Sequence, residues 1–332
     1  MATQITCGGS AVDSQDICQS PDAEASKKTP KESLDYGDFT LGTLSLSQIE
    51  SYLHILKVPA PATADLESLN ALIAAHLEQI PFQGIDTFLG RQGSLEAGAV
   101  FSKVVEQGRG GNCFELNSLF ARLLLSFGYH VEVRCARMRW AVPEDAPLAP
   151  VDHMVLCVSL DGKAGHGSEG RFLVDVGFGG PSPRRALPLD GDASPYRLST
   201  VEEDWAKPIE VSMKYRRQRE DEDYCWLPLY QVFAYSHEWP DFVDKSWYFP
   251  TYPGVVFRDV LAVSRYDGNC WLTLRNKKFT RRRCDSNELG EVVEQRCATN
   301  VEDILCFLDL ELKVKLDPSL DKEKLFARVQ QL

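Results

Sequence analysis

Long apolar runs are missing from this chain of 332 residues, and so is an excess of positive charge: 36 Lys and Arg residues face 48 Asp and Glu residues, for a net charge of −12. Without an apolar run of about 20 residues, no membrane-spanning helix is expected. The negative charge argues against a nucleic acid or an anionic membrane as a partner. A signal-peptide pattern is also missing, which favours a cytoplasmic location.

Cysteine is plentiful, but the spacing that marks metal sites and disulfide frameworks is not there. The ten cysteines include no C-x-x-C pair. This pattern predicts neither a bound metal nor structural disulfides, and it suits a reducing compartment. Histidine is scarce, with six residues, so the search for a catalytic base is short.

The distribution of polar, helical and alternating segments predicts an α+β protein with four successive parts. Residues 1–38 are polar and predict a disordered tail. Residues 39–129 have helical periodicity and predict packed helices. Residues 130–245 alternate with period two and predict an antiparallel barrel or sandwich, whereas 246–332 mix strands with helix.

Local signals place individual elements within these parts. Apolar spacing predicts helices over 47–57, 65–79, 98–107 and 113–127, a terminal helix from about Val301, and strands over 260–264 and 271–274. The first helix is expected to begin with a capping box at Ser47 to Glu50. The charged run Lys214 to Asp223 predicts an exposed loop. The basic run Lys277 to Arg283 predicts a solvated strand edge, with coenzyme phosphates as a second possible role.

The segment Arg109 to Asn117, Arg-Gly-Gly-Asn-Cys-Phe-Glu-Leu-Asn, places Cys113 at the start of a predicted helix, behind two glycines. Unpaired N–H groups and the helix dipole favour a thiolate over a thiol at such a position. Asn117 lies four residues further on, so its side chain shares a helix face with Cys113. The competing interpretation is a small buried cysteine, which we prefer for the other nine.

Among the histidines, His153 stands out because it directly precedes the apolar run Met154 to Val158 and would lie at the mouth of a buried strand. His54 and His76 lie in predicted helices and are expected to be surface or boundary residues. None of the five other histidines has an obvious partner.

A carboxylate that suits His153 follows along the chain. Asp175 lies inside a predicted strand from Arg171 to Gly180, where an acid needs a partner. A hairpin would hold His153 and Asp175 side by side across a sheet. Taken alone, Asp175 is explained equally well as a structural residue whose carboxylate is fully hydrogen-bonded. Together with Cys113, however, the order Cys, His, Asp predicts a catalytic triad.

Cys113 and Asp175 lie in elements that resemble the arylamine N-acetyltransferase family. Three elements carry the resemblance: Arg109 to Asn117, Ile80-Pro81-Phe82-Gln83, and Asp175-Val176-Gly177-Phe178-Gly179. Weaker matches at 251–257 and 272–276 follow in the family's order, so the resemblance runs from about Leu44 to the C-terminus. The chain departs from the family at Gln83, where Glu is usual, and at Asn112, where an aromatic residue is usual. It also carries insertions at 137–149 and 161–170.

The resemblance implies a helical bundle (39–129) that carries the nucleophile, an antiparallel β-barrel domain (130–245) that carries the histidine and the aspartate, and a linker helix with an α/β lid (246–332). The implied triad of Cys113, His153 and Asp175 lies at the interface of the first two. The resemblance further implies residues that support the nucleophile (Arg109, Gly110, Gly111, Glu115 and Asn117), that line the substrate pocket (Phe82, Gly177 and Phe178) and that contact coenzyme A (Gly179 and Thr273).

The implied activity is ping-pong transfer of an acyl group from acyl-coenzyme A, a co-substrate rather than a tightly bound cofactor, to an aromatic amine or hydrazine through acyl-Cys113. A cysteine hydrolase of the papain or transglutaminase type uses the same three residue types and is the main alternative. The Ile-Pro-Phe and Asp-Val-Gly-Phe-Gly elements favour the transferase. A catalytically inactive binding module is the third interpretation, which an intact triad disfavours. The sequence does not indicate the preferred acyl donor, the amine or the oligomeric state.

Overall fold

The computed structural model describes residues 41–331 except 141, 144–145, 148, 161–169, 203, 205, 217–223 and 285–289. The predicted tail at 1–38 and all but Gly170 of the insertion at 161–170 lie outside the described residues. Within the described ranges, no helix is long and apolar enough to cross a membrane.

Helices dominate the first part of the described chain and return near its end. They are α1 (Leu46–Leu56), α2 (Leu66–Gln79), α3 (Ile85–Phe88), α4 (Ala97–Phe101), α5 (Cys113–Ser126), α6 (Val243–Thr251), α7 (Val256–Asp259), α8 (Val301–Cys306) and α9 (Lys322–Gln330). Short π-helical turns extend α4 over Ser102–Glu106 and α8 over Phe307–Glu311.

The strands form two antiparallel sheets. They are β1 (Phe82–Gln83), β2 (His130–Met138), β3 (His153–Ser159), β4 (Arg171–Val174), β5 (Leu187–Pro188), β6 (Tyr196–Thr200), β7 (Ile209–Arg216), β8 (Tyr224–Val232), β9 (Ala262–Asp267), β10 (Cys270–Arg275), β11 (Lys278–Arg283) and β12 (Val292–Cys297). One sheet has the order β5-β4-β3-β2-β8-β7-β6 and is nearly closed into a barrel, and the other has the order β1-β9-β10-β11-β12. The expected α+β class is confirmed.

The first helices begin at local capping signals. Ser45 caps α1 in a capping box with Gln48, so the box predicted at Ser47 to Glu50 is wrong by two residues. Asp65 caps α2 with its side chain. Asn112 and Glu115 form a reciprocal capping box that starts α5. Each box satisfies backbone N–H groups that would otherwise lack acceptors.

Other elements differ from the sequence prediction. The expected helix over 98–107 is divided into α4 and a π-helical turn. The helix at Val301 is confirmed, but α9 was not predicted, because its buried residues are only Leu325 and Val329 and its apolar stripe is therefore too thin to recognise.

Three predictions about polar residues are wrong. The basic run forms β11, which lies between β10 and β12 and is not a sheet edge; Arg281 there contacts Asp267, Glu294 and Glu311. The expected loop from Lys214 begins too early, since β7 continues to Arg216 and pairs with β8, whereas the rest of that predicted loop, 217–223, lies outside the described residues. His76 is fully buried rather than exposed, and its Nδ1 lies 2.7 Å from the Tyr52 hydroxyl.

Two buried apolar clusters hold the fold together. The larger one joins α1, α2 and α5 to the barrel-like sheet. The smaller one lies under the second sheet and includes buried residues of α3, α8 and α9. The two sheets are not built from separate stretches of chain, because β1 follows α2 yet pairs with β9, with Phe82 opposite Ser264. This pairing fixes Phe82 close to the start of α5, where the backbone of Gly111 bridges to it.

Candidate active site

Cys113 is the first residue of α5, and it is 5% exposed. Gly177 packs directly against it, since a Cβ atom at position 177 would lie 2.8 Å from Cys113 Cα. Three of the four leading N–H groups of the helix have acceptors: the Asn112 N–H donates to Glu115, and those of Phe114 and Glu115 donate to the Asn112 side chain. Among the described residues, the Cys113 N–H is the only one of these four groups that has no acceptor.

His153 begins β3, opposite Ala136 of β2. Its Nε2 lies 2.6 Å from Asp175 Oδ2, and both side chains are buried. Because the carboxylate occupies Nε2, Nδ1 is the ring nitrogen that remains for a second partner. The expectation that Asp175 lies within a strand is wrong: β4 ends at Val174, which pairs with Leu156. The carboxylate instead reaches His153 from the turn after the strand.

Asn117 holds that turn in place. Its Nδ2 donates to Asp175 Oδ1 at 3.0 Å and to the carbonyl oxygen of Met154 at 2.8 Å, and its Oδ1 accepts the Val176 N–H at 3.0 Å. The Gly177 N–H also donates to Asp175 Oδ1, at 2.9 Å. One side chain on the nucleophile helix therefore fixes both the start of β3 and the carboxylate that follows β4.

The electrostatics of the site depend on His153. Burial alone would lower the pKa of His153, but the Asp175 carboxylate and then the Cys113 side chain raise it from 6.5 to about 10. Near neutral pH, the folded protein therefore favours an imidazolium between a carboxylate and a sulfur atom. The Cys113 thiol also lies 3.9 Å from the backbone carbonyl oxygen of Asp152. A neighbouring cation is one of the surroundings in which cysteine thiolates form.

A cavity of about 410 Å³ opens beside this group. Its wall is mostly apolar and includes seven aromatic side chains, those of Phe82, Trp140, Phe178, Tyr248, Phe249, Phe257 and Trp271. Gly179 and Thr273 also line it, whereas Gly177 does not and instead packs on Cys113. Trp140 belongs to the insertion at 137–149, and its ring meets those of Phe178 and Trp271 edge to face. Such a wall suits a flat apolar ring.

A second, much smaller cavity of about 10 Å³ touches Cys113 itself. We call it the small chamber; its lining residues are Phe82, Gly84, Thr87, Asn112, Cys113, Phe114, Phe249 and Phe257. Phe82, Phe249 and Phe257 line both spaces and so form the partition between them. A volume of this size holds about one water molecule, and a methyl group is of similar size.

The glycine pair before the nucleophile permits a close backbone approach. Gly110 has φ of +67°, and a Cβ atom there would lie 2.3 Å from the carbonyl oxygen of Pro81. The Gly111 carbonyl accepts the Gln83 N–H at 2.9 Å. Larger residues at position 110 would push β1 away from the start of α5.

Arg109 and Glu115 lie in a partly buried ion-pair network rather than in the wall of the large cavity. Arg109 contacts Asp86 and Asp317, each at 3.1 Å. Lys103 lies 2.7 Å from Glu115 and 2.8 Å from Asp86. The network thus ties the cap of α5 to α3 and to the segment that precedes α9.

Sequence reasoning missed several of these residues. Lys103 and Asp317 gave no local signal, because their partners come from distant segments of the chain. Asp152, which lines the large cavity, did have one: it is an acid that immediately precedes the buried strand of the candidate base. Phe257 lies in the weakly matching segment 251–257, so its role could be found only from the fold.

Metal binding has no support in the described part of the chain, where no group of three or more His, Cys, Asp and Glu side chains is arranged to hold an ion. The described cysteines are free.

The fold and the relatives in sequence together define an enzyme of the acyltransferase type. A family model described as N-acetyltransferase matches residues 65–320. The chain belongs to the arylamine N-acetyltransferase family, and the resemblance stated from the sequence is confirmed.

Individual relatives agree in sequence and in fold. An arylamine N-acetyltransferase of Mycolicibacterium smegmatis is 32% identical over 244 residues, which cover 71% of this chain and 83% of that protein. The Mycobacterium marinum arylamine N-acetyltransferase in complex with CoA superposes with a TM-score of 0.73 at 25% identity, covering 85% of this chain and 98% of that one. The Salmonella typhimurium enzyme also superposes with a TM-score of 0.73, at 25% identity, covering 87% of this chain and 100% of its own.

Proposed function

We propose that this chain transfers an acetyl group from acetyl-coenzyme A to the nitrogen of an aromatic amine or hydrazine by a ping-pong mechanism through acetyl-Cys113. The observation that carries the proposal is the buried His153–Asp175 pair at the start of α5, beside an aromatic cavity. The relatives named arylamine N-acetyltransferases, one of them in complex with CoA, support the same donor and acceptor. Gly179 and Thr273, which line the cavity, are the proposed coenzyme contacts.

In the first half-reaction, His153 Nδ1 holds the proton of Cys113, and the resulting thiolate attacks the thioester carbonyl carbon. The new C–S bond forms to Cys113, the bond to the coenzyme sulfur breaks, and the departing thiolate takes the proton from the imidazolium. Asp175 on Nε2 fixes the ring orientation throughout. The Cys113 N–H, which has no acceptor among the described residues, is the proposed donor to the oxyanion.

In the second half-reaction, the amine nitrogen attacks the carbonyl carbon of acetyl-Cys113. The nitrogen loses its proton to His153 as the amide C–N bond forms and the C–S bond breaks, which restores the thiolate and imidazolium. The small chamber supports acetyl as the acyl group, since it touches Cys113 and has room for about one methyl group. The aromatic wall supports an aryl acceptor over water, which a hydrolase would use.

Mass spectrometry of the purified protein mixed with acetyl-coenzyme A alone tests the central step. We expect one acetyl adduct, on Cys113, which disappears when an aniline is added and acetanilide forms. Cys113→Ser should give neither adduct nor product, because a hydroxyl is far harder to ionise. Cys135→Ser, at another buried cysteine, is the matched control and should retain both. An adduct elsewhere would refute the assignment, and acetate release in place of anilide formation would favour a hydrolase.

The cytoplasmic location and the role of the insertion at 137–149 in shaping the cavity entrance remain predictions. Trp140 in the cavity wall supports the second of these.

A further inference from the structure

Asp152 is the one acidic residue among the described residues that line the large cavity. The other charged lining residue is Arg275, which is exposed at the end of β10. The rest of the wall is apolar, aromatic or uncharged. A carboxylate in such a wall has a strong effect on which ligands bind, because few other groups there can accept a hydrogen bond from the ligand.

The backbone holds Asp152 beside the nucleophile. Its N–H donates to the Ala136 carbonyl at 3.1 Å, and its own carbonyl oxygen lies 3.9 Å from Cys113 Sγ. Its Oδ1 accepts the Met138 N–H at 2.9 Å. The carboxylate is thus fixed between β2 and β3, one residue before His153 and on the cavity side of the site.

The triad does not use this carboxylate. Asp175 already occupies His153 Nε2, and Asn117 and Gly177 satisfy Asp175. In the described part of the chain, Asp152 forms no ion pair with a cationic side chain. Burial raises the pKa of Asp152 above 3.8, and the Met138 N–H and then the nearby His153 and Arg137 charges only partly offset this rise. Part of its hydrogen-bonding capacity is therefore available to a ligand.

We propose that Asp152 determines which amines the enzyme accepts: it favours aromatic amines that carry a second hydrogen-bond donor on the ring and disfavours those that carry an anionic group. The inference rests on the proposed function, because it concerns the acceptor that resolves acetyl-Cys113. Asp152 connects Cys113 to the large cavity, since it lines that cavity and its backbone carbonyl oxygen contacts Cys113 Sγ. An acceptor ring bound in the cavity, with its nitrogen directed to Cys113, can therefore donate to Asp152 from a ring amino or hydroxyl group. A ring carboxylate there meets like charge at short range and low dielectric.

The experiment compares three acceptors, aniline, 1,4-phenylenediamine and 4-aminobenzoate, with saturating acetyl-coenzyme A. Asp152→Asn is the informative variant, since its amide oxygen still accepts the Met138 N–H while the charge is lost. Relative to aniline, we expect kcat/KM for 4-aminobenzoate to rise about tenfold and that for 1,4-phenylenediamine to fall about tenfold, as expected for one hydrogen bond to a charged group. Asp190→Asn removes the same charge from an exposed site outside the cavity lining and should leave both ratios unchanged.

Equal changes for all three acceptors, or ratios that do not move, would overturn the proposal and leave Asp152 a structural residue. Acetylation of Cys113 by acetyl-coenzyme A, followed separately by mass spectrometry, distinguishes this result from a failure of the proposed function. If wild-type protein forms the adduct and acetylates aniline but Asp152→Asn leaves the ratios intact, the function stands and the specificity role does not.

Discussion

At the scale of single residues, Asp175 accepts two hydrogen bonds in addition to its contact with His153. Asn117 and the Gly177 N–H both bond the oxygen that does not face the imidazole. The remaining oxygen is thereby aimed at Nε2, at 2.6 Å. The orientation of the base is thus determined from the nucleophile helix itself.

Asp175→Asn is therefore expected to leave the fold intact and to lower kcat by about 10⁴, the loss that the equivalent change causes in a serine-protease triad. The amide can present an N–H to the imidazole and favour the wrong tautomer. Loss of the carboxylate also removes the largest of the effects that raise the pKa of His153. Single-turnover acetylation of Cys113 measures the loss, and circular dichroism monitors the fold. Near-normal acetylation by a folded variant would make Asp175 structural only.

At the scale of elements, α7 and the residue before α3 meet across the small chamber. The ring of Phe257 on α7 forms part of the partition, and a Cβ atom at Gly84 would lie 3.4 Å from that ring. The position of α7 should therefore limit the length of the acyl group that Cys113 can carry.

Phe257→Ala is expected to raise the propionyl to acetyl ratio of kcat/KM by about tenfold or more, because one methylene in an apolar pocket is worth about 10–200-fold in discrimination. Gly84→Ala should lower the ratio, since the added methyl group would occupy space in the small chamber, in van der Waals contact with the ring of Phe257. Steady-state assays with the two acyl-coenzyme A donors and one aniline give the comparison. If the propionyl to acetyl ratio changed in the same direction in both variants, the assignment of the small chamber to the acyl group would be contradicted.

The elements also show what the sequence could predict. The start of α5 was predictable because Asn112, Glu115 and the apolar stripe lie within one stretch of chain. The His153–Asp175 contact was predicted as a pair, but its geometry was not, since Asp175 lies beyond β4 and depends on Asn117 for support. The interior position of the basic strand β11 in its sheet could not be predicted, because its acidic partners come from β9, β12 and the π-helical turn after α8.

At the scale of the whole molecule, the network of Asp86, Lys103, Arg109 and Asp317 links the nucleophile helix to the C-terminal part. Burial opposes ionisation of Asp86, but Lys103, Arg109 and Arg91 outweigh it and lower the pKa of Asp86 below 3.8. Its stabilising contribution is thus fully present above pH 3.8, the unfolded value, and is lost as pH falls through the folded pKa.

Asp86→Asn is expected to lower the free energy of unfolding by about 2 kcal/mol near neutral pH, because a partly buried carboxylate loses its hydrogen bonds from charged groups. The loss should shrink in acid, where the wild-type carboxylate is also protonated. Urea unfolding at several pH values measures both effects. Equal destabilisation at neutral and acid pH would show that packing rather than charge explains the change.

The two-residue strand β1 makes the N-terminal part of the molecule depend on the C-terminal part for its solubility. It belongs in sequence to the helices, yet it completes the second sheet by pairing with β9. Cutting the chain before β9 would leave β1 without its partner and would uncover the buried ring of Phe82. Exposed backbone edges and apolar rings promote aggregation. A shortened chain should therefore be recovered as insoluble material during expression, and a mild protease should produce no long-lived soluble N-terminal fragment.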